Sequence, residues 1–427
     1  MPANLVPGNA VIGQSGGPTA VINQSLAGVV EGLRFGLHAA GHVKKILGMR
    51  HGVRGLTRGD FLDMTDMHQD ILDRLAMTPS ASLGSTRDKP DADYCRRVLD
   101  ACRTHDIRYF FYIGGNDSSD TCRIVREMAV ADNFDLRCFH VPKTVDNDLK
   151  ENDHTPGFPS AARFVAMACM ADFMDNISLP GIKINVIMGR HAGFLTAASA
   201  LARRYDRNLN PHVVAESTDG PQLIYLPEVP FDIDRFLADA DRVYSKKGRC
   251  HIAVSEGIQD KDGVSIGAKL IKGAQTDDHG NVQLSGSGAL GDQLADLLKT
   301  RLTPAGGKPP RVRADTFGYI QRCWPDASVI DRIEARRSGR HAAMLAMQGH
   351  LDASVAIKRP GSGSVLWMGN DNGIPYVSEY ARVELADIAA KTRHMPEEFI
   401  EGHNNVSRRF IEYCLPLVGD LPGFERL

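Results

Sequence analysis

Three short stretches of this chain gather glycines with acids and cations: Gly114-Gly115-Asn116-Asp117-Ser118, Lys143-Thr144-Val145-Asp146-Asn147-Asp148, and Met188-Gly189-Arg190. Each directly follows an apolar, strand-like run. Glycine lets backbone N–H groups approach phosphate oxygens, carboxylates hold a divalent cation or take a proton, and lysine and arginine offset charge. That is the inventory of phosphoryl transfer onto a small anionic substrate. Within the second stretch, Asp146 or Asp148 could accept a proton from an attacking hydroxyl while Lys143 holds phosphate. A polar turn closed by Asx hydrogen bonds would use the same residues and stays open.

Further stretches fit the same chemistry less distinctively. Gly13-Gln14-Ser15-Gly16-Gly17-Pro18 closes the first strand-like run and opens a helix, where orphan N–H groups meet anions. No GxxxxGK[ST] loop occurs anywhere, so this is not a Walker A turn. Glu256 and Gly318-Tyr319-Ile320-Gln321-Arg322 also lie just past strand-like runs; arginine takes phosphate bidentately, and a strand-end glutamate can accept sugar hydroxyls. Taken singly, each could equally be a surface ion-pair residue. Gly286-Ser287-Gly288-Ala289-Leu290-Gly291 matches a dinucleotide fingerprint but lacks a preceding apolar strand. His38 and His42 share a helix-face spacing without a third ligand, so no metal site is read there.

The elements that must position these loops alternate. Apolar runs at 9–12, 107–113, 137–141, 183–188, 222–226 and 250–254 are separated by amphipathic stretches, and the run at 107–113 is apolar on both faces, as a central parallel strand is. Such βαβ order predicts an α/β protein with mostly parallel sheets and helices on both faces. A hairpin or loop is expected between Glu256 and Ala289, and a helical appendage over 397–413.

The chain has 427 residues, enough for two domains or one elaborated α/β unit, and its 43% hydrophobic and 24% charged content is ordinary for a globular protein. A net charge of −2 gives no field for nucleic acid or an anionic membrane. Basic clusters at 311–313 and 336–340 are read as helix-face charge or a local phosphate pocket. The eight cysteines form no CxxC pair, pointing to buried thiols in a reducing compartment. With no signal-peptide pattern and no membrane-length apolar run, the expectation is a soluble cytoplasmic protein.

Together, in this order, the motifs resemble the phosphofructokinase family from Val11 to Arg340, and within it the pyrophosphate-dependent members. The resemblance implies two Rossmann-like domains: 1–157 plus about 322–350 for the phosphoryl donor, and 158–321 plus about 351–427 for the sugar phosphate. It implies that Gly17, Gly115, Ser118 and Arg87 hold the donor, with Asp146, Lys143 and Asp117 catalytic. Thr144, Val145, Asp146, Met188, Gly189, Arg190, Glu256, Arg313, Tyr319 and Arg322 would bind fructose 6-phosphate. Mg²⁺ is implied near Asn116 and Asp117, and a homodimer or homotetramer as the assembly. ATP-using relatives carry glycine where Asp117 and Lys143 stand. A carboxylate there would repel the α-phosphate of ATP, and the ammonium would suit the shorter pyrophosphate. The alternatives are the same reaction driven by ATP, and a non-catalytic sugar-phosphate-binding regulator. Two departures from the family pattern stand out: Tyr319 replaces a histidine, and Gly181 stands where an arginine is usual, with Lys183 a candidate to compensate.

Overall fold

The computed structural model describes residues 5–203, 219–270, 288–359, 378–389 and 391–424. Contacts divide the chain into two compact units, one of residues 1–160 with 322–393, the other of residues 161–321 with 394–427.

In the first unit the strands are β1 (Gly8–Gln14), β2 (Val43–Met49), β3 (Phe61–Asp63), β4 (Ile107–Gly114), β5 (Arg137–Pro142), β10 (Asp352–Lys358) and β11 (Glu379–Val383). They form one sheet in the order β11-β10-β5-β4-β1-β2-β3. The inner pairings are parallel, and only the edge strands β3 and β11 run antiparallel to their neighbours. The apolar run of β4 is buried on both sides because both faces are covered. Tyr109, Phe111 and Ile113 enter a core with the helices Ile22–Leu33 and Val329–Met347, while Phe110 and Tyr112 enter a second core with Ala92–Thr104 and Asn116–Ala131. The period of two along β4 divides the two layers.

The helices Ile22–Leu33 and Val329–Met347 cross in backbone contact. A Cβ on Gly28 would stand 1.9 Å from the Arg336 carbonyl oxygen, and one on Gly339 2.2 Å from that of Ser25. Arg336 and Arg340 then pair with the buried Glu31, so this basic cluster is an interhelical clamp rather than a phosphate pocket.

The second unit holds β6 (Ile182–Ile187), β7 (Leu223–Tyr225), β8 (Cys250–Ser255) and β9 (Val312–Thr316) in a parallel sheet ordered β7-β8-β6-β9. Its core packs Phe236 and Leu294 from the helices Ile233–Lys247 and Ala289–Leu302 against Ile184, Ile252 and Val254.

Two expectations are corrected. Residues 352–358 are expected in the sugar-phosphate domain, but β10 pairs with β5 and β11 pairs with β10, so both strands belong to the first unit's sheet. The 397–413 stretch is not one helix: a short 3₁₀ turn and the β12–β13 hairpin (Ile400–Glu401, Asn405–Val406) precede the helix Arg408–Val418. The hairpin or loop expected between Glu256 and Ala289 has an antiparallel bridge between Gln259 and Ser265, followed by the short helix Ile266–Leu270; residues 271–287 lie outside the described residues. Of the fingerprint decoy, Gly288 caps the helix Ala289–Leu302 and Gly291 packs on Val186 and Ala314. All eight cysteines are free thiols. Among the described residues, no helix is long and apolar enough to cross a membrane.

Candidate active site

In the first unit, four loops meet at the carboxyl ends of β1, β4 and β5, where ligands bind in open parallel sheets. The turn after β1 is held by Ser15 N–H donating to the Ile113 carbonyl (2.9 Å) and Gly16 N–H donating to the Thr86 carbonyl (2.8 Å). Ser85 Oγ donates to the Gly16 carbonyl at 2.6 Å. Gly16 has φ +76°, a conformation side chains oppose. This ties residues 84–87, and with them the exposed Arg87, to the glycine turn.

Lys143 lies across that turn. Its side chain is 3% exposed, and Nζ donates to the Gly17 carbonyl at 2.8 Å. A Cβ on Gly16 would stand 3.0 Å from the same Nζ, and one on Gly17 would stand 2.9 Å from Arg322 Cζ. Burial, joined by the charges of Arg322 and Arg87 and opposed by those of Asp146 and Asp148, lowers the Lys143 pKa to about 7. An ammonium so destabilised gains most from an anion placed beside it.

Behind Lys143, Asp146 N–H donates to Thr144 Oγ1 (3.1 Å), and Asn147 adopts φ +58° while its Oδ1 accepts from Thr155 N–H (3.0 Å). The hydroxyl turn at Thr144 is therefore present, and with the longer Asn147–Thr155 bond it shapes the loop that carries the two carboxylates. Burial, then the charge on Asp146, raises the Asp148 pKa to about 7. Near neutral pH the pair carries less than two full charges. Val145 is buried.

At the second glycine loop, Gly115 is the N-cap of the helix Asn116–Ala131, which places Asn116 and the exposed Asp117 in the first turn. Asn116 directs its amide nitrogen to the carbonyls of Ile388 (3.1 Å) and Lys391 (3.0 Å). An aspartate here would set a carboxylate against two carbonyl oxygens, which gives a physical reason for the amide. Ser118 is buried, with Oγ packed over Gly114 and its N–H donating to the Gly115 carbonyl. It is tied into the helix start. No cluster of three or more potential metal ligands occurs among the described residues.

In the second unit, Met188, Gly189 and Arg190 follow β6, and Glu256 follows the adjacent β8. Glu256 N–H donates to the Ile187 carbonyl (2.9 Å), and Ser255 Oγ donates to the Gly189 carbonyl (2.5 Å). Gly189 has φ +136°, a value only glycine adopts readily. Glu256 and Met188 are buried, and Arg190 is partly so. Tyr319, 44% exposed, lies on the 3₁₀ helix Gly318–Arg322 that follows β9.

Arg313 pairs in register with Lys183, near the start of β6, so at least roughly 13 Å of strand separates it from the loop carrying Arg190. Arg322, at the end of the helix Gly318–Arg322, stands against Gly17. Lys183 is not available to compensate for Gly181, because it is held by Asp172, Asp175 and Asp315. Burial opposes its charge, but Asp172 and Asp315 outweigh that and hold its pKa above the usual value.

Several supporting residues had no sequence signal of their role. Asp331 is fully buried and accepts from Gly157 N–H (2.8 Å), Ser160 N–H (3.0 Å) and Ser160 Oγ (2.5 Å). His154 bridges Asp153 (2.7 Å) and Glu334 (2.5 Å). These contacts fix the segment after Asp148 to the helix Val329–Met347. In the second unit, Glu228 accepts from Gly193 N–H (2.8 Å) and Met395 N–H (3.0 Å), bracing the loop after Arg190. The one legible hint was the Ser328-x-x-Asp331 spacing, which reads as a local helix cap.

A model of the phosphofructokinase family matches residues 9–346. The chain is 49% identical over 428 residues to a pyrophosphate–fructose 6-phosphate 1-phosphotransferase of Rhodospirillum rubrum, covering 99% of this chain and 97% of that one. A protein of the same name from Halomonas elongata is 34% identical, over 98% of this chain and 94% of its own. Among solved structures, a pyrophosphate-dependent phosphofructokinase from Nitrosospira multiformis aligns with TM-score 0.79 and 31% identity, over 98% of this chain and 94% of that one.

Proposed function

The chain belongs to the phosphofructokinase family, and on that footing we infer that it moves a phosphoryl group from pyrophosphate to the C1 hydroxyl of fructose 6-phosphate. Fructose 1,6-bisphosphate and orthophosphate are the products. The phosphoanhydride of pyrophosphate stores only modest free energy, so turnover is readily reversible. The observation that carries the donor assignment is Lys143, whose ammonium sits 2.8 Å from the Gly17 carbonyl inside the glycine turn. It occupies space that a longer nucleotide would need and leaves a cation where two phosphates fit. Neither ATP as the donor nor a non-catalytic regulator is favoured.

In this reading the first unit holds pyrophosphate on the turns at Gly16–Gly17 and Gly115, with Arg87, Lys143 and Arg322 balancing its charge. The sugar phosphate is held by Met188, Gly189, Arg190, Glu256 and Tyr319, with the backbone of Thr144 and Val145 contributing. Asp146 takes the proton from the C1 hydroxyl as that oxygen attacks phosphorus. Asp148, with its pKa raised to about 7, keeps part of a proton and leaves Asp146 the stronger candidate for the ionised base. The exposed Asp117 and the lack of a closed carboxylate cluster among the described residues fit Mg²⁺ held mostly by phosphate oxygens and water. When bound, the ion would neutralise charge on the leaving phosphate. Arg313, far from Arg190 along the sheet, serves a sugar phosphate only if it reaches one held by a second copy of the chain.

The test is Asp146→Asn. A positioned general base contributes roughly 10²–10⁴ in rate, so kcat should fall at least about a hundredfold while the melting temperature stays unchanged. A near-normal kcat would remove Asp146 from the mechanism.

A further inference from the structure

Next to the catalytic loop, the first unit has an open cavity of about 490 Å³ lined by Lys150, Glu151, Asn152, Asp153, Lys358, Arg359 and Arg393. Its volume suits a small metabolite. The lining carries four cations against two carboxylates. Lys358 meets Glu151 at 3.0 Å, and Arg359 meets Asp153 at 3.2 Å. Lys150 is exposed and makes no ion pair among the described residues. The cavity thus keeps a positive excess after its own pairs are counted, and concave walls concentrate that field.

One wall is the chain that leaves the catalytic loop. Arg393 N–H donates to the Asp148 carbonyl (2.7 Å), and Arg393 Nη1 donates to the carbonyls of Asn152 (2.7 Å) and Asp153 (2.6 Å). A bridge between Leu149 and Thr392 closes the same wall. A ligand drawn to these cations therefore pulls on a backbone two residues from Asp146.

We propose that this cavity is a second anion site, distinct from the donor and acceptor sites, which takes a small phosphate-bearing anion and acts through 148–153 on the catalytic loop. Fixing that segment biases the carboxylate pair between its arrangements, which is the coupling two sites need.

The test occupies the reaction site first, with fructose 6-phosphate, Mg²⁺ and non-hydrolysable methylenediphosphonate, and then titrates 3-phosphoglycerate calorimetrically. One site per chain is expected, weakened at least about tenfold in Lys150→Ala/Lys358→Ala, a difference of about 1.4 kcal/mol. The variant should keep wild-type turnover when no probe is present, which shows that it folds and that the catalytic reading stands independently. Amide exchange across 146–153 should slow on binding. A second arm with inorganic phosphate separates the sources: equal affinity upholds the site with free phosphate as its occupant, and weaker affinity upholds it for a phosphorylated metabolite. No binding up to about 10 mM, undiminished binding by the variant, or unchanged exchange would each overturn the proposal.

Discussion

In the proposed reading Lys143 carries the choice of phosphoryl donor. Its amine is buried, lies near two other cations, and still reaches the Gly17 carbonyl. With a folded pKa of about 7 against an ordinary 10.5, the amine makes the fold less stable at and below neutral pH. That cost fades as pH rises from 7 towards 10.5, because over this window the unfolded chain binds the proton that the folded chain does not. Pyrophosphate reverses the preference by supplying the missing counter-charge. Binding at pH 8 should therefore take up a proton, visible as a dependence of the calorimetric heat on buffer ionisation enthalpy. The pyrophosphate KM should rise between pH 7 and 9, and Lys143→Met should lose the proton uptake. A pH-independent KM with no proton uptake in the wild type would contradict this account. Asp146, by contrast, is a residue whose role is carried by its loop.

That loop is an element-scale construction. Residues 143–160 leave β5, turn at Asn147, and are fastened by Asp331 through three hydrogen bonds and by Glu334 through His154. Burial lowers and Glu334 raises the His154 pKa, leaving it at about 9; the charged pair is intact near neutral pH. Asp331→Ala leaves two backbone N–H groups without their acceptor, so unfolding free energy should drop by about 2–4 kcal/mol. Because the fastening ends beside the carboxylates, kcat should fall while the fructose 6-phosphate KM changes little. Stability loss with an unaltered kcat at low temperature would make Asp331 purely structural. Much at this scale was legible beforehand. The run that becomes β4 is apolar on both faces, and loops carrying glycine, acids or cations mark the carboxyl ends of β4, β5, β6 and β8. What stayed hidden was tertiary: Asp331 reads locally as a cap, and nothing in 352–358 says which sheet the strand joins. Ser118 carried the pattern of a donor ligand, and only the fold shows it packed over Gly114.

At the scale of the whole molecule, the sequence order of motifs places one set of groups on each unit but not their separations. Arg313 and Arg190, both expected at the sugar phosphate, are set apart by the length of β6, because Arg313 on β9 pairs with Lys183 near its start while Arg190 follows its end. If Arg313 serves a second copy, the active enzyme is at least a dimer. Re-associating Asp146→Asn chains with Arg313→Ala chains should then regenerate one intact site and recover activity that neither variant has alone; no recovery in a verified mixed dimer would confine each site to one chain. The most direct test of the central claim compares donors. Fructose 1,6-bisphosphate formation is followed with pyrophosphate and with ATP, for the wild type and for Asp117→Gly/Lys143→Gly. A close like-charge contact costs several kcal/mol, at about 1.4 kcal/mol per tenfold. The wild type should turn over with pyrophosphate alone, and the double variant should shift the ratio of kcat/KM values towards ATP by at least about a hundredfold. An unchanged ratio would contradict the assignment of donor choice to these two side chains.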